Sequence, residues 1–181
     1  MNFPLFKTFK VSPFTTSFLN KKFDEYKKEH ESFNIRENSF DANNGYQTEN
    51  LLNWKNKKFK KFIKYKLSKL ISSQLKLNES KIDYHWIHFL DYYDGGSMNY
   101  HKHSHNEDFV LFIYLKNCKE GETVFHLNDH CQEYADRTEI RLLPKKNLGA
   151  IFSSLVLHKG EHTSENKRIF VVGIKVNLLI D

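Results

Sequence analysis

The stretch YHKHSHNEDFVLFIYLKNCKEGETVF, residues 100–125, joins an alternating histidine pattern to two apolar runs separated by a glycine-containing turn. Successive side chains of a β-strand point to opposite faces, so His101 and His103 project to the same side, and His105 joins them if the strand continues. Imidazole is a ligand for iron, zinc, copper and nickel alike. The stretch therefore predicts β-structure that carries a metal site, with a third ligand from elsewhere in the chain. The alternative is a polar strand face exposed to solvent.

Short segments rich in aromatic and β-branched residues lie on both sides of this stretch. Turn sequences separate them, among them Asp94-Gly95-Gly96 and the segment from Pro144 to Gly149. Strands that recur about every 8–15 residues favour a β-sandwich or barrel over a parallel α/β sheet. The predicted strands cover residues 84–90, 97–103, 109–115, 123–126, 140–143, 150–153 and 169–176.

The first 80 residues have a different character from the rest. They hold 16 Lys and Arg against 8 Asp and Glu, whereas residues 81–181 hold 12 against 14 and nine of the ten histidines. Apolar residues at helical spacing predict one surface helix over residues 17–33 and a lysine-rich helix over residues 57–75. We expect region 1–80 to be a helical and irregular support that packs on a β core at 81–181, the two forming one structural domain overall.

Composition excludes several classes of protein. No run approaches the roughly 20 apolar residues of a membrane-spanning helix, the first residues do not resemble a signal peptide, and the two cysteines do not form a CxxC pair. We therefore expect a soluble, cytoplasmic protein with no membrane partner. The formal charge of +6 is not accompanied by a motif that reads nucleic acid, so nucleic acid is not an expected partner. The lysine-rich face is explained by solubility, with phosphate binding as its alternative.

A second motif-rich stretch, LLPKKNLGAIFSSLVLHKGEHTSENKRIFVVGIKV, covers residues 142–176. It contains a turn from Pro to Gly, a strand that ends in Ser, a His-x-Gly at His158, and an Arg ten residues after that histidine. The order of motifs resembles the Fe(II)- and 2-oxoglutarate-dependent oxygenases, especially their prolyl-hydroxylase-like branch, over residues 80–177. The matching positions are Tyr114-Leu115, Gly121-Glu122-Thr123-Val124-Phe125, Pro144, Gly149, His158, Gly160 and Arg168.

This resemblance implies a mainly β protein, with a double-stranded β-helix core of the jelly-roll or cupin-like type and flanking N-terminal α-helices. It implies Fe(II) and 2-oxoglutarate, with ascorbate as a further candidate cofactor. The expected activity is that of a dioxygenase that hydroxylates an unidentified small-molecule or peptide substrate. The alternative function is a cupin-like metal-binding barrel without 2-oxoglutarate chemistry. The sequence does not indicate an oligomeric state.

The resemblance also implies the site residues. The metal ligands would be His101, His103 and His158, in a subgroup with His-x-His in place of the usual His-x-Asp. Because this replacement puts the second ligand in doubt, other nearby side chains remain as alternates, namely His105, Glu107 and Asp108. Arg168 would bind the far carboxylate of 2-oxoglutarate through two parallel hydrogen bonds, and Tyr114 would assist it. The alternatives are a surface ion pair for Arg168 and a core position for Tyr114.

Overall fold

Nine strands, all paired antiparallel, form the body of the protein in the computed structural model, which describes residues 5–30, 42–103, 106–127 and 138–177. They are β1 (Phe6–Lys10), β2 (Ala42–Gln47), β3 (Ile82–His101), β4 (Phe109–Tyr114), β5 (Thr123–His126), β6 (Glu139–Leu142), β7 (Leu148–Ser153), β8 (Leu157–Thr163) and β9 (Lys167–Val176). The strand order is β1-β7-β4-β9-β3-β8-β5-β6, and β2 pairs with β3.

Strand β3 belongs to two sheets. Residues 82–92 pair with β9, and residues 96–101 pair with β8. At the bend Gly95 has φ +87°, and a Cβ on Gly96 would lie 2.4 Å from the Asn44 carbonyl oxygen of β2. The predicted turn at residues 94–96 is therefore a bend within one long strand, because two glycines allow the backbone to turn and a neighbouring strand to approach closely. The two sheets form the predicted double-stranded β-helix, which is confirmed.

The helices cover the outer face of the larger sheet, β1-β7-β4-β9-β3. They are α1 (Pro13–Glu29) and the continuous helical segment made of α2 (Lys57–Phe62), a π-helical turn (Ile63–Leu67) and α3 (Ser68–Leu75). Helix α1 begins earlier than predicted because Ser12 caps it and Pro13 occupies its first turn. The lysine-rich helix over residues 57–75 is confirmed. None of the described helices combines the length and hydrophobicity that a membrane crossing requires.

Two hydrophobic cores lie on opposite sides of the larger sheet. Strand β4 contributes to both, since alternate residues point to opposite faces. Phe109, Leu111 and Ile113 pack against the helices, whereas Val110, Phe112 and Tyr114 face the smaller sheet, which is formed by the second half of β3 with β8, β5 and β6. Burying both faces of a strand leaves no hydrophobic alternation in its sequence, so the sequence cannot show which face is inside.

Three of the strands, β1, β2 and β8, were not predicted. Strands β1 and β2 come from the region before residue 80 and pair with β7 and β3. Strand β1 is short and lies at the edge of the sheet with lysines along it, and β8 carries mostly polar residues. Strands β1 and β8 therefore lack the apolar pattern by which strands are recognised, because edge strands and strands that line a site carry polar side chains. The first 80 residues therefore supply strands as well as helices.

Candidate metal centre and adjoining cavity

Three histidines from two strands meet at one end of the space between the sheets. His101 of β3 stands directly opposite His158 of β8 in the antiparallel register, and His103 follows two residues later on the same side. The ring centroids are 4.2 Å apart for His101 and His158, 5.0 Å for His101 and His103, and 5.1 Å for His103 and His158. One potential ligand atom of each ring lies within 4.8 Å of the others, a spacing compatible with a shared metal ion.

Backbone carbonyl groups orient two of these rings. His101 Nδ1 lies 2.9 Å from the Asn99 carbonyl oxygen, and His158 Nδ1 lies 2.9 Å from the Val156 carbonyl oxygen. A carbonyl oxygen only accepts hydrogen bonds, so each Nδ1 carries the proton and the ring lone pair lies on Nε2. This is the tautomer that binds a metal through Nε2 while Nδ1–H holds the ring in position. The donor set therefore fits a first-row divalent metal.

His158 is held in its neutral form by its surroundings. Burial lowers its pKa well below the ordinary histidine value, and the nearby His101 and His103 rings lower it further. Phe125 and Phe152 supply much of the apolar contact, with ring centroids 5.9 and 4.8 Å from that of His158. A neutral imidazole is the form that binds metal, and burial keeps His158 in that form.

The two carboxylates considered as alternate ligands take other positions. Glu107 lies behind His103, with Oε1 3.5 Å from His103 Nδ1 and Oε2 3.0 Å from His85 Nδ1. Asp108 Oδ2 instead accepts a hydrogen bond of 2.7 Å from the Val176 amide. His105, the remaining alternate, lies outside the described residues. The closely spaced ligand group found among the described residues contains histidines and no carboxylate.

Glu107 is buried yet stabilised as an anion. Burial by itself raises the pKa of its carboxyl group. Hydrogen bonds from His85 and from the backbone amides of Asn106 and Glu107 itself, with the neighbouring His103, outweigh that effect and leave the pKa below its usual value. A negative charge therefore lies next to the three histidines.

A cavity of about 200 Å³ opens beside the three histidines, between the two sheets. Its walls are mostly apolar and aromatic, and they include Trp86, Leu90, Tyr92, Val110, Phe112 and Ile169. A wider surface cleft of about 730 Å³ lies by α1 and residues 49–58, and none of the three histidines lines it. The smaller cavity is the one that a molecule bound to the metal would occupy.

Lys167 reaches into this cavity from β9. It is 1% exposed, and its Nζ donates a hydrogen bond of 3.0 Å to the Gly121 carbonyl oxygen and lies 5.0 Å from the centre of the Tyr92 ring. Burial lowers the pKa of Lys167 to about 8. Within the described part of the chain no carboxylate lies at ion-pair distance from Nζ. Lys167 is therefore a buried basic group that faces the cavity and forms no ion pair with the acids that the structure describes.

The separation between Lys167 and the histidines follows from the geometry of β8. A Cβ on Gly160 would lie 3.3 Å from Lys167 Nζ, so the ammonium group sits over Gly160. Gly160 is two residues from His158 along the same strand, a distance of roughly 6–7 Å. A small molecule with an acidic group at each end, one at the metal and one at Lys167, fits this distance.

Arg168 does not face the cavity. Its Nε lies 3.1 Å from Asp91 Oδ1, its Nη1 lies 3.1 Å from Asp24 Oδ1, and its guanidinium stacks 3.9 Å from the centre of the Phe23 ring. These partners belong to α1 and to the outer face of β3. The sequence assigned the cosubstrate carboxylate to Arg168, but the structure pairs this residue with two acids, because residue 168 points to the helix-covered side of the sheet.

Tyr114 lies next to the cavity wall rather than in the cavity. Its hydroxyl is hydrogen-bonded to Thr123 Oγ1 at 2.6 Å and to the Leu142 carbonyl oxygen at 3.1 Å, and Thr123 lines the cavity. Burial raises the pKa of the Tyr114 phenol. In this arrangement Tyr114 holds Thr123 in place and does not itself reach the space beside Lys167.

Comparison with known proteins identifies the fold. No protein-family model and no curated protein matches the chain. Among solved structures, a prolyl-4-hydroxylase from Pseudomonas putida has a TM-score of 0.67 at 13% identity, covering 96% of this chain and 93% of that one.

Two further structures are similar. A viral collagen prolyl hydroxylase from Paramecium Bursaria Chlorella virus-1, solved with 2-oxoglutarate, has a TM-score of 0.64 at 17% identity, covering 96% and 97% of the two chains. A non-heme α-ketoglutarate-dependent carbocyclase from nogalamycin biosynthesis has a TM-score of 0.73 at 9% identity, covering 95% and 79%. The chain therefore has the fold of the 2-oxoglutarate- and Fe(II)-dependent oxygenases.

Proposed function

We propose that this protein is an Fe(II)- and 2-oxoglutarate-dependent dioxygenase that hydroxylates a small-molecule or peptide substrate. The observation that carries the proposal is the presence of two features in one cavity: three convergent imidazoles and, roughly two strand residues away, the buried amine of Lys167. Neither a structural core nor a simple metal site requires a buried lysine that forms no ion pair with the described acids, because burying an unpaired ammonium group is costly.

His101, His103 and His158 would hold the iron through their Nε2 atoms. Three ligands on one side of a metal leave its other positions open for a cosubstrate and for oxygen. When bound, iron and 2-oxoglutarate supply the oxidising power, and the overall reaction converts 2-oxoglutarate, O₂ and a substrate C–H group into succinate, CO₂ and an alcohol. The protein fixes the geometry of the ligands and of the cavity.

Lys167 would take the role that the sequence suggested for Arg168. Its ammonium group would bind the far carboxylate of 2-oxoglutarate, and that carboxylate would be its ion-pair partner, since no carboxylate among the described residues lies at ion-pair distance from Nζ. The glycine at position 160 leaves the room that this contact needs. Because the surrounding walls are apolar, the ion pair would form in a region of low dielectric constant, where it is stronger than in water.

The apolar walls have a second role. Aromatic side chains at Trp86, Tyr92 and Phe112 line the cavity, and they would exclude water from the reacting atoms. The Trp86 ring lies 5.2 Å from the His103 ring, so the same wall also holds one of the proposed metal ligands in place.

An anaerobic titration of the full chain tests the proposal. We expect Fe(II) to bind first and 2-oxoglutarate to bind tightly only to the iron-loaded protein, as measured by calorimetry and by a visible absorption band that needs both components. Lys167→Met should abolish the response to 2-oxoglutarate while leaving iron binding intact. Retention of zinc or nickel with no response of the iron-loaded protein to 2-oxoglutarate would instead identify a cupin-like metal-binding barrel.

A further inference from the structure

A ligand set of three neutral histidines would leave the positive charge of a divalent metal uncompensated. Two histidines and a carboxylate would reduce the charge of a divalent iron centre to +1, whereas three neutral imidazoles leave it at +2. The site is largely buried, since His158 is 7% exposed and the adjoining cavity is apolar. An uncompensated charge is expensive in such surroundings, so a nearby anion would strengthen metal binding.

We infer that Glu107 is a positioning residue that supplies this missing negative charge by acting on the metal through His103. The inference rests on the proposed function, because it assumes that a divalent metal binds to the three histidines. It differs from the assignment of Glu107 as a direct ligand, because the carboxylate lies on the Nδ1 side of the His103 ring. The ligand set stays all-histidine.

The position of the Glu107 carboxylate supports this role. Its Oε1 lies 3.5 Å from His103 Nδ1, and the Glu107 side chain is 3% exposed. The corresponding Nδ1 atoms of His101 and His158 face backbone carbonyl groups, which carry only partial charges. A carboxylate that accepts the Nδ1 proton of an imidazole makes the ring a stronger metal ligand and fixes its orientation, and Glu107 lies on that side of His103. His103 is therefore the ligand through which a full negative charge can act.

Other contacts hold Glu107 in this place. Its Oε2 accepts a hydrogen bond of 3.0 Å from His85 Nδ1 and one of 3.1 Å from the Asn106 amide. On the other side, Trp86 lies 5.2 Å from His103, ring to ring. The acid and the imidazole are therefore each held by contacts of their own.

The metal affinity of matched variants tests the inference. Glu107→Gln keeps the shape and an oxygen that can accept from His85 but removes the charge. Asp108→Asn makes the same change one residue away, where the side chain binds the Val176 amide and not a histidine. Anaerobic calorimetry with Fe(II) should show affinity about 10- to 100-fold weaker for Glu107→Gln, and within about twofold of wild type for Asp108→Asn. His103→Ala sets the scale for loss of a direct ligand and should bind more weakly than Glu107→Gln.

Thermal melting of the metal-free proteins checks that each variant is folded. If Glu107→Gln does not melt as the wild type does, Glu107→Asp and Glu107→Asn form a second pair of equal length, and the Asp variant should bind Fe(II) at least about tenfold more tightly. Equal affinities within that pair, or an unchanged affinity of a folded Glu107→Gln, would overturn the inference and leave the proposed function standing. A wild-type protein that binds no Fe(II) would contradict both the inference and the proposed function.

Discussion

Lys167 and Arg168 are neighbours in strand β9, yet their side chains lie on opposite sides of the same sheet. The Nζ of Lys167 lies 3.0 Å from the Gly121 carbonyl oxygen inside the cavity, whereas Arg168 Nε lies 3.1 Å from Asp91 Oδ1 beneath α1. Adjacent residues of a strand always face opposite ways. Only one of the two cations can therefore contact a ligand at the histidines, and the two substitutions should have different consequences.

Replacing Lys167 should strongly weaken cosubstrate binding. Lys167→Met removes the proposed partner of the far carboxylate of 2-oxoglutarate, and losing one member of a buried charge pair costs about 2–5 kcal/mol, so affinity should fall by about 30-fold or more. Anaerobic calorimetry on the iron-loaded protein measures this change. A variant that binds 2-oxoglutarate as well as the wild type would show that Lys167 does not contact it.

Replacing Arg168 should affect stability rather than cosubstrate binding. Arg168→Met leaves the nearly buried carboxylate of Asp91 without its ion pair, and breaking such a pair costs about 3 kcal/mol in the free energy of unfolding. Urea denaturation measures this loss, and the double variant with Asp91→Asn should recover part of it. The affinity for 2-oxoglutarate should stay within a few fold of wild type, whereas a loss like that of Lys167→Met would return the cosubstrate role to Arg168.

Burial of Lys167 should make the stability of the ligand-free protein depend on pH. Its pKa is lowered from 10.5 to about 8, so between these values the unfolded chain binds more protons than the folded one, and the free energy of unfolding rises with pH. The full change is at most about 3 kcal/mol. Below about pH 8 Lys167→Met should be the more stable protein, and its advantage should shrink as pH approaches 10. A difference from wild type that stays constant over this range in urea denaturation would contradict the prediction.

Replacing Gly160 should weaken cosubstrate binding. Gly160→Ala would place a Cβ 3.3 Å from Lys167 Nζ, and displacing the ammonium group should cost about 1 kcal/mol, or roughly five- to tenfold in affinity for 2-oxoglutarate. The affinity for Fe(II) is the internal control, since the new methyl group lies at the lysine and not at the imidazoles. A parallel loss of both affinities would indicate a distortion of β8 instead.

Metal should stabilise the fold through His158. A ligand that binds only the folded protein adds about 2.7 kcal/mol at a concentration 100 times its Kd, so Fe(II) under anaerobic conditions should raise the melting temperature of the wild type. His158→Ala should lose that rise, because one of the three convergent imidazoles is removed. An equal rise in the variant would place the metal elsewhere.

Several features of the protein can be predicted from the sequence because they depend on local patterns. Alternation along a strand places His101 and His103 on one face, and helical spacing defines the lysine-rich helix at residues 57–75. The order of the motifs from residue 100 to residue 168 indicates the double-stranded β-helix and predicts that His158 lies close to the other two histidines. Each of these inferences uses neighbours in the chain or the order of segments.

Tertiary structure alone decided which side of each strand meets the cavity. Strand β9 is apolar on both faces, because helices cover one and the smaller sheet covers the other, so its sequence could not distinguish Lys167 from Arg168. The position of Glu107 behind His103 likewise depends on His85, which lies 22 residues earlier in the chain. Strand periodicity defines two faces without saying what covers them, and that depends on packing between segments far apart in sequence.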